Sequence, residues 1–239
     1  EPQFERPKIW AIQRLQLDDK CAMGSCRDKK MNCEGVPIGI ISYKCGNILS
    51  IRNALAAVGV SDVRIIESPQ DLDRVTKIIL PGVGAFDSAC LALKAAGLFQ
   101  ALQEFLLTGS NKALGVCLGM QILCASSDEG KEAGLGVVEG SVKLLSPRTQ
   151  EKIPHVGWNT VKWSNDDPIL EGLGSEQDFY FLHSFHVIPG RKTKCLGITE
   201  YGHPVTAMLR SGNIWGVQFH PEKSQSSGLK ILSNFVKHA

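Results

Sequence analysis

The sequence predicts an α/β fold: an open, mostly parallel sheet flanked by helices, with additional antiparallel strands in the second half. Three observations lead there. Between residues 36 and 116, short β-branched runs alternate with stretches of helical hydrophobic period, the pattern of parallel strands joined by crossover helices. Beyond residue 160 the apolar runs shorten and strand-forming residues dominate. The composition of the 239 residues, 43% hydrophobic and 21% charged, is that of an ordinary globular chain with enough apolar material for a sizeable core.

Each element has its local reason. Residues 36–41 read as a first strand, and 48–58, apolar at helical spacing and stopped by Gly59, as a first helix. Val63-Arg64-Ile65-Ile66 and Lys77-Ile78-Ile79-Leu80 are further strand-length β-branched runs. Residues 86–107 form a long helical segment rich in Ala and Leu that breaks at Gly109, and Ala113-Leu114-Gly115-Val116 reads as another buried strand. Val161-Lys162-Trp163, Phe179-Tyr180-Phe181-Leu182, 195–199, 205–209 and 214–219 read as strands, and 227–236 as a final amphipathic helix. The domain expected is 37–239. Residues 1–36 stand apart as an amino-terminal extension, polar, mixed in charge and loosely ordered.

Bulk properties exclude several function classes. No apolar run approaches the roughly 18 residues of a membrane-spanning helix, so no membrane partner is expected. A net charge of +2, from 26 basic and 24 acidic residues, supplies no one-signed field for nucleic acid. Eight cysteines, at 21, 26, 33, 45, 90, 117, 124 and 195, are irregularly spread and read as reduced thiols. Cys21, Cys26 and Cys33 match no common zinc spacing and have no histidine nearby, so no metal is expected. The first residues show neither a secretory nor an organellar signal; the compartment expected is the cytoplasm, with a plastid left open.

Chemistry concentrates in three places. Gly115-Val116-Cys117-Leu118-Gly119 follows an apolar strand and precedes the helix-forming Met120-Gln121-Ile122-Leu123. Small-x-nucleophile-x-small at a strand-to-helix turn is a nucleophile elbow, and the start of a helix favours a thiolate. A small buried cysteine in a tight turn fits the same letters. The strand Ile214-Trp215-Gly216-Val217-Gln218-Phe219 leads into His220-Pro221-Glu222; if the backbone stays extended through Pro221, His220 and Glu222 project to one side as a base and its orienting carboxylate. Pro81-Gly82-Val83-Gly84 is a glycine-rich turn at the end of a parallel strand, where ligands of such sheets collect. With the amide of Leu118 it could form an oxyanion hole. No Walker or dinucleotide fingerprint is present.

In this order, G-x-C-x-G and then H-P-E about a hundred residues later resemble the class I glutamine amidotransferases, over 37–239. Pro81-Gly82-Val83-Gly84-Ala85-Phe86, Lys152-Ile153-Pro154-His155-Val156-Gly157-Trp158-Asn159, Tyr180-Phe181-Leu182-His183-Ser184-Phe185 and Gln218-Phe219-His220-Pro221-Glu222-Lys223-Ser224-Gln225 are similar, within that family, to the glutaminase subunits of imidazole glycerol phosphate synthases. The resemblance implies Cys117 as nucleophile, His220 as general acid/base and Glu222 as its orienter. It implies Leu118 and either Val83 or Gly84 as oxyanion donors, and Gly82 and Gln121 as contacts of substrate glutamine; an exposed helix residue is the bland reading of Gln121. Asn47, Trp158 and Tyr180 match the partner-facing surface, although both aromatics would suit a core. His183 is expected near the crevice. No cofactor is implied. The implied partner is a (β/α)8-barrel cyclase, either a separate subunit or a fused domain, since such a barrel takes about 250 residues.

One turn departs from the family pattern. Where Asp-Tyr-Gly-x-Gly-Asn is usual, this chain reads Ser42-Tyr43-Lys44-Cys45-Gly46-Asn47, with lysine at a position that favours glycine. Two other functions remain compatible with these residues: a stand-alone γ-glutamyl cysteine hydrolase, and a catalytically silent scaffold for the cyclase.

Overall fold

The computed structural model describes residues 37–43, 46–146, 151–164 and 166–238. The proposed extension, the cysteines at 21, 26 and 33, and Lys44 and Cys45 lie outside the described residues.

The first half alternates as the sequence predicts. β1 (Ile38–Ile41) is buried along its whole length, as a central parallel strand must be. α1 (Ile48–Ala57) begins where the Asn47 side chain accepts the Ser50 N–H at 3.2 Å and buries Ile51, Ala54 and Leu55. β2 (Val63–Ile66) and β3 (Lys77–Gly82) follow. The segment 86–107 is two helices, not one: α2 (Phe86–Ala95) and α3 (Leu98–Leu107), bent 94° from each other. The break is Gly97, whose φ of +71° ends α2 in the left-handed conformation. β4 (Lys112–Cys117) then runs directly into the five-residue α4 (Leu118–Ile122).

The second half is mostly strand: β5 (Gly140–Leu144), β6 (His155–Trp163), β7 (Glu176–His183), β8 (Phe185–Pro189), β9 (Lys194–Glu200), β10 (Pro204–Ser211) and β11 (Ile214–Val217), closed by α5 (Gln225–His238). β5 and β8 escape the sequence reading because each is only five residues long and carries little period-2 signal; they pair with each other away from the main sheet. β6 extends six residues earlier than expected, to include the Pro-His-x-Gly-Trp-Asn block.

Among the described residues, nine strands form the main sheet in the order β2-β1-β3-β4-β11-β10-β9-β6-β7. Pairing is parallel from β2 to β11 and antiparallel from there to the β7 edge. Alternate side chains of the parallel strands feed two cores. Ile78 and Leu80 pack with Phe86, Leu93, Leu98 and Leu102 of α2 and α3; Ile79 packs with Leu55 of α1 and Ile231, Leu232 and Phe235 of α5. Burial of these large aliphatic and aromatic groups, each contributing roughly 1.5–3 kcal/mol, holds the helices to both faces.

This topology brings the carboxyl ends of β3, β4 and β11 side by side, with Gly82 opposite Cys117 and Val217 opposite Val116. The three candidate motifs therefore converge although 139 residues separate Pro81 from His220 (220 − 81). Convergence needs very close backbone approach. A Cβ on Gly119 would lie 1.7 Å from the Leu80 carbonyl oxygen, and one on Gly115 would lie 2.8 Å from the Gly119 oxygen. Gly119→Ala should accordingly destabilise the fold by about 3 kcal/mol or more, because the obstacle is backbone and cannot rotate away; an unfolding midpoint within a degree or two of the parent would contradict this packing.

Candidate active site

The elbow is where the sequence places it, and it is strained. Cys117 has φ +55° and ψ −111°, one of two non-glycine residues with positive φ among those described. Such a conformation typically costs 1–3 kcal/mol and persists only where packing enforces it. Gly115 and Gly119 permit the enforcement by letting β4, α4 and the end of β3 touch. α4 is only one and a half turns long, so its dipole is smaller than the sequence reading supposed, but the N–H groups of Leu118 and Gly119 still lack intrahelical acceptors.

His220 follows β11 and is almost fully buried. The backbone does not stay extended after it: Pro221–Lys223 is a turn of 3-10 helix, for which proline's fixed φ is as well suited as for an extended strand. The turn still returns the Glu222 carboxylate to the ring, with His220 Nδ1 and Glu222 Oε1 2.9 Å apart and both side chains buried. His220 is braced from β7: its N–H donates to the Tyr180 carbonyl at 2.9 Å, its carbonyl accepts from the Ser224 hydroxyl at 2.7 Å, and that hydroxyl accepts the Tyr180 N–H at 3.0 Å.

The other ring nitrogen, Nε2, is buried without a complete hydrogen bond and interacts with the Cys117 sulfur. Catalytic hydrogen bonds are often loose before substrate binds. Burial alone disfavours a charged imidazole, yet hydrogen bonding to Cys117 and Glu222, with their negative charge, outweighs it and pushes His220 up to about 9. A protonated imidazole beside the Cys117 sulfur is thereby favoured at neutral pH. Cys90 and Cys124 differ: burial pushes their thiols up to about 11 and about 12, and neither borders a cavity that contains His220.

Cys117, Leu118, Val83, Gly84, Gln121 and His220 line one cavity of about 250 Å³, and His183 and Phe185 close its far wall. Gly84 has φ +104° and Val83 is largely exposed, so the Pro81–Gly84 backbone runs along the mouth. Its start is tied down by a buried hydrogen bond from the Tyr43 hydroxyl to the Pro81 carbonyl, 2.6 Å long. Gly82 is buried beneath that turn, where a Cβ would meet the Tyr43 oxygen at 2.7 Å and the Gly119 nitrogen at 2.8 Å. Gln121 is buried, not an exposed helix residue; its amide nitrogen donates to the Phe185 carbonyl at 2.9 Å and to Gln218 Oε1 at 3.1 Å. Only its amide oxygen is left to meet a ligand.

The candidate interface residues lie elsewhere. Asn47 is exposed and caps α1. Trp158 and Tyr180 are directly opposed on β6 and β7, their rings edge to face at 6.2 Å, and neither is core. With Val156 and Leu182 they form an apolar patch on one face of the sheet edge, Val156, Trp158 and Leu182 being 54%, 50% and 40% exposed.

Sequence reasoning assigned no role to Tyr43, His155 or Gln218. A signal existed for Gln218, which lies two residues before His220 in an extended run and so projects to the same side. None existed for the contact of Tyr43 with Pro81, which joins different strands.

The elbow cysteine, the buried imidazole–carboxylate pair and the doubly wound sheet define a cysteine-dependent amide hydrolase of the amidotransferase type. The class I glutamine amidotransferase family model matches residues 42–239, and the chain belongs to that family. Within it, the chain is 42% identical to the imidazole glycerol phosphate synthase subunit HisH 2 of Methanococcus maripaludis, across 84% of this chain and 100% of the relative. It is 41% identical to the corresponding HisH subunit of Moorella thermoacetica, across 85% and 97%. Among solved structures, a glutamine amidotransferase superposes with a TM-score of 0.68 at 19% identity, covering 85% of this chain and 98% of the other, and PurLQS of Thermotoga maritima with 0.65 at 17%, covering 85% and 98%. At those identities the likeness is one of fold.

Three buried histidines outside the Cys117–His220 contact make a pH prediction. Burial pushes His183 down to about 3, and His155 and His186 to about 4, so all three are neutral in the folded protein. Unfolding restores values near 6.5 and takes up protons. Their contribution to stability is therefore complete above about pH 6.5 and is lost as pH falls toward those folded values, by up to about 1.4 kcal/mol per pH unit for His183. Denaturant melts at pH 7 and pH 5 should show this loss, and His183→Asn should flatten the slope.

Proposed function

We propose that this chain is the glutaminase subunit of an imidazole glycerol phosphate synthase, hydrolysing glutamine to glutamate and ammonia and passing the ammonia to a cyclase partner in histidine biosynthesis. The observation that carries the reading is the meeting of Cys117 and His220 on the wall of one small cavity, with Glu222 hydrogen-bonded behind the imidazole, in a chain so close in sequence to synthase subunits. The cavity falls below the roughly 300–1,000 Å³ of drug-sized sites, which suits a single amino acid.

The chemistry follows from the parts. The Cys117 thiolate adds to the γ-carboxamide carbon, and negative charge collects on the oxygen. The Leu118 amide, with Val83 or Gly84 once their peptide is turned inward, stabilises that charge; one such donor is typically worth about 3–4 kcal/mol. The His220 imidazolium, its positive charge supported by Glu222, protonates the departing nitrogen, and ammonia leaves. Water then attacks the γ-glutamyl thioester, giving its proton to the now neutral His220, and glutamate is released. Gln121, which lines the cavity, holds the substrate there, and Gly82 supports the turn at its mouth from beneath.

Ammonia released into bulk water is lost to protonation and dilution, so a second active site must receive it directly. The apolar patch of Val156, Trp158, Tyr180 and Leu182 supports a protein partner, and the Tyr180 backbone connects that patch to the His220 loop through one hydrogen bond from the His220 N–H and one to the Ser224 hydroxyl. A (β/α)8-barrel cyclase, separate or fused, is the partner proposed, acting on a phosphoribulosyl carboxamide nucleotide.

The decisive experiment mixes the chain with a barrel cyclase and follows glutamate release with and without the carboxamide nucleotide. Strong stimulation is expected. Full activity of the isolated chain on γ-glutamyl conjugates, unaffected by cyclase, would point to a stand-alone hydrolase. Cys117→Ala should abolish glutamine-dependent synthesis while ammonia-dependent synthesis by the complex persists; retained glutamine use would make the chain a scaffold. Trp158→Ala should weaken cyclase binding by about 2 kcal/mol, the size of an aromatic hot spot, seen as a rise in the cyclase concentration needed for half-maximal stimulation.

A further inference from the structure

Two polar groups besides His220 reach the Cys117 sulfur. The Leu182 carbonyl oxygen, 3.6 Å away, accepts from the thiol. The Gln218 amide nitrogen, 3.7 Å away, donates to the sulfur. These two contacts respond oppositely when the thiol ionises. The bond to Leu182 disappears with the proton, whereas the N–H of Gln218 becomes a charge-assisted donor to a thiolate, about twice as strong as its neutral counterpart.

That Gln218 offers nitrogen and not oxygen is fixed by its neighbours. The Phe185 carbonyl can only accept, so the Gln121 atom 2.9 Å from it is the amide nitrogen. The second hydrogen of that nitrogen meets Gln218 at 3.1 Å and requires the Gln218 oxygen there, which turns the Gln218 NH2 toward Cys117. Phe185 is itself held. Its carbonyl also accepts from His183 Nδ1 at 2.8 Å, which leaves His183 Nε2 as an acceptor for His155 Nδ1 at 3.0 Å. His155 Nε2 then accepts from Asn159 Nδ2 at 3.3 Å, and that nitrogen is identified by its second bond, to the Glu200 carbonyl at 2.9 Å. Both ends of the chain are backbone carbonyls, so every intermediate tautomer and amide orientation is determined. Gln218 itself is wholly buried and its backbone N–H is committed to the Ala207 carbonyl, so its side chain has no solvent alternative.

We propose that Gln218 is a positioning residue for the nucleophile: its amide N–H holds the Cys117 sulfur and favours the anion, and Gln121, anchored on the Phe185 carbonyl, keeps that N–H aimed. The proposal deepens the glutaminase reading and rests on it for its relevance to turnover.

Thiol alkylation tests it on the sulfur itself, without glutamine. The rate of reaction with iodoacetamide is followed against pH at the Cys117 peptide by mass spectrometry, for the parent chain, Gln218→Met and Gln218→Leu. Both variants delete the donor while differing in shape, and thermal melts identify the folded ones. The other titratable groups facing the sulfur or lining its cavity, His220 with Glu222 behind it, His183 and Glu129, are unchanged. The expected result is an upward shift of the profile midpoint by about one pH unit, a tenfold loss of thiolate at pH below the midpoint, equal in the two variants. In the cyclase complex, kcat should fall about tenfold with KM for glutamine within about twofold, as expected for a group that acts on the nucleophile and not on substrate binding. A profile superposing on the parent in either folded variant, or a shift present in one and absent in the other, would overturn the proposal. Failure of the glutaminase reading would look different, as a normal alkylation shift in a chain that no cyclase stimulates.

Discussion

Everything at this site depends on backbone contact between the end of β3 and the start of α4. The Leu80 carbonyl sits where a Cβ of residue 119 would be, and Gly115 is equally crowded by the Gly119 oxygen. Only with both side chains absent can the chain turn from strand into helix within one residue, and that residue, Cys117, is left with a positive φ that its own Cβ disfavours. Surrounding cores supply the force. Leu114 and Val116 are fixed in one apolar layer and Met120, Ile122 and Leu123 in the other, so the elbow between them has no softer conformation to relax into. The sulfur is thereby presented to the cavity by packing, at a site where its electrostatic neighbours can act on it.

Those neighbours come from three different strands and differ in kind. The His220–Glu222 pair sets an ionisable ring beside the sulfur; the Pro81–Gly84 turn runs its backbone along the mouth; the wall made by Phe185 and His183 provides fixed dipoles. Charge chemistry in a buried site normally carries a large desolvation cost. Here the imidazole hydrogen-bonds to Cys117 and Glu222 and feels their negative charge, which is why burial fails to hold His220 neutral while the same burial keeps His155, His183 and His186 uncharged. Four histidines of similar exposure thus differ in protonation, and the difference is whether Cys117 and Glu222 or other imidazoles and carbonyls surround them.

The sheet edge connects this chemistry to the outside. β7 contributes Tyr180 to the exposed apolar patch and, through its backbone, two of the hydrogen bonds that brace the His220 loop. β6 contributes Trp158 to the patch and His155 to the buried histidine chain. Strands alternate their side chains, so the same two strands necessarily serve the surface with one face and the active site with the other. A partner bound to the patch therefore touches elements that already hold the catalytic groups.

Much of this was legible in the sequence. The alternation of strand and helix, the elbow at Cys117, the base–carboxylate spacing of His220 and Glu222 and the glycine turn at Pro81–Gly84 are local patterns, and local patterns follow from period, propensity and spacing. The break at Gly97, the 3-10 turn at Pro221–Lys223, the pairing of β5 with β8 and the burial of Gln121 were not, because each is decided by what packs against the segment from elsewhere in the chain. The same limit hid Tyr43 and the chain from Asn159 to Gln218, whose members are scattered over five separate segments. Sequence determined which reactive groups exist and which turns present them. Only the tertiary structure decided their protonation and aim, since both depend on dielectric, distance and the donors or acceptors that distant strands bring within about 3 Å.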